Sequence, residues 1–350
     1  MDNTIAVLEE PGKMVIKPAA IPDPKDDEVL IKVSQVGMCG SDIHGFQFGP
    51  YLPPEDPNQV IGLGHEIAGI IEKAGKNVTD LKIGDRVCVE PGVPCYKCEF
   101  CLSGHYNVCP DVDFMATAPN YKGALTNYLT HPANLTFKLP DNMSLVEGAL
   151  VEPAAVGIHA AEMGGNLVGK TIVILGSGAI GLMTTMAAKL SGASKIVVID
   201  VLKNRLNKAM ELGATAALDG RDEDIIDKVK SIVGTYGADL VYETAGAIAT
   251  AKMGLQLVKR TGKFLIVGTI PGETPIDFLK INREVTIQTI FRYVNDYQKT
   301  IDMISNHTLD VLAITDKYFD YQDTQKAFEF AVNNKSEFIK GVITVDGTLK

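Results

Sequence analysis

The most regular hydrophobic pattern runs from residue 156 to 290, where short β-branched runs alternate with longer apolar-periodic segments. Runs at 171–175, 195–199, 215–218, 239–242, 263–267 and 285–289 read as strands. Segments 179–191, 203–211, 222–233, 247–258 and 276–281 read as helices. This alternation predicts an α/β domain with a parallel, doubly wound sheet covered on both faces. Its first turn reads Gly176-Ser177-Gly178-Ala179-Ile180-Gly181, followed by an apolar segment without proline and then Lys195–Ile199 and Asp200. Gly176 permits a tight turn, Gly178 lets backbone N–H groups approach a pyrophosphate, and Gly181 lets the helix pack on the strand. A helix N-terminus there offers donors and partial positive charge to phosphates. Asp200 can accept from both hydroxyls of an adenosine ribose and would repel a 2′-phosphate, which favours NAD over NADP. Residues 171–188 carry no charge and approach the length of a membrane span. The glycines and the strand-like start favour strand–turn–helix instead.

The flanking segments are patterned differently. Ile5–Glu9 and Met14–Lys17 read as strands around Pro11-Gly12. In Glu28–Val36, Val29, Ile31 and Val33 share one face, Glu28, Lys32 and Ser34 the other, and Leu30 breaks the pattern. Gly45–Gln59, rich in proline, glycine and aromatics, predicts a loop. Ile67–Ala74 and the segment entered at Gly84-Asp85-Arg86-Val87 read as strands, and 121–139 holds further strand-like patches. Ser144–Gly164 reads as a helix broken at Pro153. After 290 come a helix (Tyr297–Ser305), a strand (Ile314–Phe319), a helix (Tyr321–Val332) and a last strand (Lys340–Val345). That tail leaves the alternation and is expected to return to the first domain. The predicted organisation is one domain of 1–155 and 291–350, with 156–290 inserted.

A length of 350 residues accommodates two ordinary domains, and the net charge of −10 argues against nucleic acid or an anionic membrane as partner. The first residues lack a basic region followed by an apolar run, so a cytoplasmic protein is the expectation. Four of the six cysteines, Cys95, Cys98, Cys101 and Cys109, have the spacing C-x-x-C-x-x-C-x7-C. Four thiolates so close in sequence can enclose Zn²⁺ tetrahedrally and leave no open position, which predicts a structural site.

Cys39, His65, Glu66 and Glu152 are scattered. Cys39 reads as a small core residue or a ligand, and His65 as a satisfied buried histidine or a ligand. Glu66, beside an apolar strand, is hard to explain as a solvated face. Glu152, between Val151 and Pro153, is either at a metal site or on a solvated helix face. Here a resemblance enters. The segments Gly37-Met38-Cys39-Gly40-Ser41-Asp42-Ile43-His44, Gly64-His65-Glu66, the four-cysteine lobe, Val151-Glu152-Pro153, Gly176–Gly181 and Phe291-Arg292-Tyr293 occur in the order of zinc-dependent medium-chain alcohol dehydrogenases. The chain most resembles the polyol branch, the sorbitol and xylitol dehydrogenases.

The resemblance implies a GroES-like β-barrel catalytic domain built from both chain ends, with a Rossmann domain inserted. It implies a catalytic zinc on Cys39, His65 and Glu66, with Glu152 ligating it or holding its water, and NAD as cofactor. Ser41 and His44 would pass the proton to solvent. Arg292 and Tyr293 would bind the remaining hydroxyls of a small polyol. Arg205 would cover the adenosine, and Val267, Gly268, Thr269, Ile290, Phe291 and Arg292 would line the nicotinamide. A homo-oligomer, tetramer or dimer, is expected by the same analogy. Two departures from the polyol pattern stand out: Gly45 occupies a position often aromatic, and the loop from Phe46 to Gln59 is unfamiliar. A sugar-phosphate, butanediol or threonine dehydrogenase, a zinc-free quinone reductase and a non-catalytic redox sensor are the competing readings.

Overall fold

A computed structural model describes residues 3–281 and 283–347, the side chain of Lys280 excepted. The outermost residues of the predicted first domain, 1, 2 and 348–350, lie outside them. The chain divides into two compact units, Met1–Glu152 with Tyr297–Lys350, and Pro153–Asp296. Phe291, Arg292 and Tyr293 therefore fall in the second unit.

The first unit is built on a seven-stranded sheet. Its order is Thr136–Lys138, Arg86–Val89, Glu66–Ala74, Glu28–Gly37, Lys340–Thr344 and Thr315–Asp320, with Tyr128–Pro132 also on Glu28–Gly37. Glu28–Gly37 is thus flanked by three strands. Its second face is buried as well as its first, including Ser34 and Gln35, so the predicted alternation holds only at Glu28 and Lys32. Lys340–Thr344 joins antiparallel to it, Val342 opposite Gly37, which is how the tail returns. Val29, Ile31, Val33, Ile67, Ile71, Val87, Phe328 and Ile343 form the core, each large side chain contributing about 1.5–3 kcal/mol through burial. A second sheet orders Lys13–Ala19, Asn3–Glu10 and Ile61–Gly62.

Two local expectations are corrected. The predicted loop from Gly45 begins as helix, because Gly40–Phe48 is helical. Asp42 accepts from the N–H of Cys39 at its start, no proline intervenes before Pro50, and Gly49 ends it at φ +85°. Pro153 does not break the helix around it. The break is at Leu150, between Leu145–Ala149 and Val151–Gly164, and Pro153 lies in the first turn of the latter, where its missing N–H costs nothing. The first helix starts on the reciprocal pair Ser144 and Glu147, a capping box.

The second unit carries a six-stranded sheet, ordered Ala216–Asp219, Lys195–Asp200, Thr171–Leu175, Ala238–Glu243, Val258–Ile266 and Thr286–Thr289, every pair parallel. Order reverses between Thr171–Leu175 and Ala238–Glu243, the position at which doubly wound sheets open a crevice at their carboxyl ends. Besides most of Val151–Gly164, its helices include Ala179–Leu190, Lys203–Glu211, Ile225–Val233, Ile248–Leu257 and Phe278–Ile281. Among the described residues, no helix is long and apolar enough to cross a membrane.

Candidate metal centres and nucleotide site

Sheet register assembles the scattered candidates. Glu66 opens its strand directly opposite Gly37, and two residues beyond Gly37 the chain reaches Cys39 at the start of helix Gly40–Phe48. His65 precedes Glu66 after a left-handed turn at Gly64, φ +89°. One donor atom from each of Cys39, His65 and Glu66 lies within 4.8 Å of the others. Glu66 is 1% and His65 5% exposed. The approach is close: a Cβ at Gly37 would stand 2.0 Å from Glu66 Oε2.

Two further residues, given no site role by the sequence alone, complete this centre. Asp42 is buried; its Oδ1 accepts from Gly64 N–H at 2.8 Å and its Oδ2 lies 3.5 Å from His65 Nδ1. Burial opposes charge on Asp42, yet His65 and the two backbone donors hold its carboxyl below the ordinary value. Burial likewise opposes charge on His65, but Asp42 and Cys39 raise it well above the ordinary value. Lys340, 1% exposed, donates to Met38 O at 3.1 Å and to Glu66 Oε1 at 2.5 Å, and also pairs with Oε2. Both left a trace in the sequence: Asp42 has the spacing of a capping partner to Cys39, and Lys340 is a charge at the head of an apolar strand. Glu152 is buried and close enough to act on Lys340, but lies outside the three-donor group.

The donor set fits a cation. A half-buried cysteine sulfur, a buried imidazole and a buried carboxylate suit Zn²⁺ with a fourth position left for a hydroxyl. Ser41 is exposed on the same helix. His44 is half-buried and stacks on Tyr51, ring centroids 3.9 Å apart.

The four-cysteine lobe is assembled within one segment. Cys98 Sγ lies 3.4 Å from Cys101 Sγ and 3.9 Å from Cys109 Sγ. Zn–S bonds of ~2.3 Å in a tetrahedron require S···S separations of roughly 3.8 Å. Backbone N–H groups of Cys95, Cys98 and Cys101 point at the sulfurs of Cys109, Cys95 and Cys98. Backbone donors, Lys97 N–H first, draw the Cys95 thiol down to about 7, while desolvation and the neighbouring thiols push Cys101 up to about 12. Four sulfurs gathered within this distance suit a shared dication.

In the second unit, Gly176 has φ +97° and a Cβ on Gly181 would meet Gly176 O at 2.0 Å. Helix Ala179–Leu190 starts at Gly178 with no side-chain cap, so its first N–H groups are available to an anion. Arg205 Nη1 lies 3.6 Å from the Cβ position of Gly178, beside the same turn. Asp200 Oδ2 accepts from Ser177 N–H (2.7 Å) and Oγ, and Oδ1 from Val201 and Leu202 N–H. The acid is therefore fixed against the glycine turn. Val267 and Gly268 are half-buried and Thr269 is exposed at the end of Val258–Ile266. Ile290 and Tyr293 are buried, while Phe291 is exposed beneath the Arg292 guanidinium, 4.5 Å above its ring.

Comparison with known proteins agrees with this architecture. Residues 25–141 match the alcohol dehydrogenase GroES-like domain and 179–306 the zinc-binding dehydrogenase domain. The sorbitol dehydrogenase of Bacillus subtilis (strain 168) is 41% identical, over 97% of this chain and 96% of that protein. The chain belongs to the zinc-type medium-chain alcohol dehydrogenases. An oxidoreductase/dehydrogenase of unknown specificity from Escherichia coli superposes with TM-score 0.96 at 57% identity, covering 98% of this chain and 99% of the other. A zinc-binding dehydrogenase from Sinorhizobium meliloti 1021 bound to NADP gives TM-score 0.89 at 27% identity, covering 99% and 100%. Membership of this family makes the chain an oxidoreductase.

Proposed function

We propose that the protein is an NAD-dependent zinc dehydrogenase that oxidises a secondary hydroxyl of a polyol to the ketone. The observation that carries the reading is the convergence of half-buried Cys39 with buried His65 and Glu66 in one group. A donor set with one thiolate and one carboxylate is more polar than one with two thiolates, and suits a substrate rich in hydroxyls. Similarity to the Bacillus subtilis sorbitol dehydrogenase supports the same substrate class.

Zinc would supply a Lewis acid that makes a substrate hydroxyl acidic, and NAD would accept the hydride. The protein's part is placement and charge. Cys39, His65 and Glu66 hold the metal, and Asp42 fixes the imidazole of His65 from behind. Glu152, buried near this group, takes a hydrogen bond from the reacting hydroxyl. Ser41 and His44 carry the proton outward. Arg292 and Tyr293 bind the substrate's other hydroxyls. Gly176 to Gly181 receive the pyrophosphate, Arg205 covers the adenosine, and Val267, Gly268, Thr269, Ile290 and Phe291 line the nicotinamide. Asp200 opposes a 2′-phosphate.

The test is a panel of sorbitol, xylitol, simple secondary alcohols and polyol phosphates, each with NAD and with NADP, read by absorbance of the reduced cofactor. Free polyols with NAD should give the highest kcat/KM. Preference for a phosphorylated polyol would overturn the substrate assignment. Asp200→Ala should reduce the NAD/NADP preference at least about tenfold; an unchanged ratio would remove Asp200 from the cofactor reading.

A further inference from the structure

Lys340 is a fully buried ammonium whose partners are all protein atoms of the candidate metal centre: Met38 O and both oxygens of Glu66. The same β register that sets Glu66 opposite Gly37 sets Val342 opposite Gly37 from the other side, so Lys340 is delivered to Glu66 by the C-terminal strand. Burial opposes charge on Lys340, and Glu66 first, then Cys39 and Glu152, favour it. His65 is the other titratable group of the cluster and is turned toward Asp42.

A buried carboxylate without a partner is costly. Zinc on Cys39, His65 and Glu66 would relieve that cost at Glu66, 1% exposed, but the sheet must fold around these groups in any metal state. We propose that Lys340 is the resident counter-ion of the metal centre: it competes with the metal for Glu66 and keeps the anionic cluster foldable before metal binds. The inference rests on the reading of Cys39, His65 and Glu66 as ligands. Linkage fixes the sign. If Lys340 stabilises the cluster more without zinc than with it, removing its charge must tighten zinc binding and widen the gap in stability between loaded and stripped protein.

The experiment uses the full chain with Lys340→Met and Lys340→Arg, stripped with a chelator and reloaded with zinc. Melting temperature is followed, together with zinc affinity by competition with a fluorescent chelator. Lys340→Met should lower the melting temperature of stripped protein more than of loaded protein and tighten the second zinc at least about tenfold. Lys340→Arg should stay near wild type. A gap that is unchanged or narrower, or weaker zinc binding in Lys340→Met, would overturn the proposal and make Lys340 an orienting residue for Glu66 only. Should stripped Lys340→Met not fold, the double variant Glu66→Gln/Lys340→Met decides: it should fold when stripped, and failure to do so would also overturn the proposal. Wild-type protein that binds a single zinc, at the lobe, would sink the ligand reading itself and is distinguishable from these outcomes by elemental analysis.

Discussion

The first unit contains two sulfur-bearing clusters built on opposite plans. In the lobe, four cysteines within Cys95–Cys109 meet through local turns, and the short pair Gly92–Val93 and Asp113–Phe114 closes its base. At the other centre, Cys39, His65 and Glu66 meet through the register of a seven-stranded sheet, with Lys340 arriving from the far end of the chain. The lobe's cysteines are mostly half-buried, whereas His65, Glu66 and Lys340 are almost completely enclosed. A local cluster depends on its ion for order and contributes stability. A cluster positioned by a sheet is ordered without its ion, so its ion can be spared for chemistry.

The sharpest way to break this contrast is to remove one sulfur from each cluster. Cys39→Ser should lower kcat/KM at least about 10³-fold while the melting temperature of the zinc-reconstituted protein changes little. Elemental analysis should find the lobe's zinc retained. Substantial turnover in Cys39→Ser, or loss of both ions together, would erase the distinction. Cys98→Ser should do the reverse: a fall in melting temperature of roughly 10 °C with kcat within about twofold in the folded fraction. A fully folded but inactive Cys98→Ser would place the lobe in the chemistry.

The difference in plan also explains what could be read from the chain. The lobe was legible because its donors are neighbours and their spacing is the site. The six-stranded sheet was legible because strand and helix alternate in period, and Gly176, Gly181 and Asp200 mark its first crossover. Cys39, His65 and Glu66 were not separable from core residues by spacing, since a register between distant strands leaves no local signature; only the resemblance joined them. Lys340 and Asp42 went unseen for the same reason. The helical stretch at Gly45–Phe48 was missed because composition outweighed the capping pair Cys39 and Asp42, and Pro153 misled because a proline's effect depends on its position in a helix.

A milder perturbation tests the register itself. Gly37 has no side chain because Glu66 Oε2 occupies the space a Cβ would fill, 2.0 Å away. Gly37→Ala should displace the Glu66 carboxylate and weaken zinc at that centre by about 10–100-fold, with the lobe's affinity unchanged. Zinc affinity at that centre unchanged from wild type in Gly37→Ala would mean that Glu66 is not held where the sheet puts it.

The last perturbation is acid, which threatens both clusters by protonating ligands and therefore needs a control from the sheet of the same unit. His131, on Tyr128–Pro132, is buried with Nε2 2.9 Å from Glu90 O, at the strand end that leads into the lobe. Burial holds its imidazole at about 4, against about 6.5 in an unfolded chain. Between these values the unfolded state binds a proton that the folded state does not, and stability rises with pH wherever that holds. The contribution of neutral His131 is therefore complete above pH 6.5 and is lost as pH falls to 4, by about 3 kcal/mol at most. Below pH 4 both states are protonated and the slope ends. His131→Gln keeps a donor for Glu90 O but cannot titrate, so its melting temperature should fall less steeply than wild type from pH 6.5 to 4 at saturating zinc. Parallel slopes for the two proteins would assign the acid sensitivity of this unit to the metal ligands instead, and the two clusters would then share a vulnerability that their different construction does not predict.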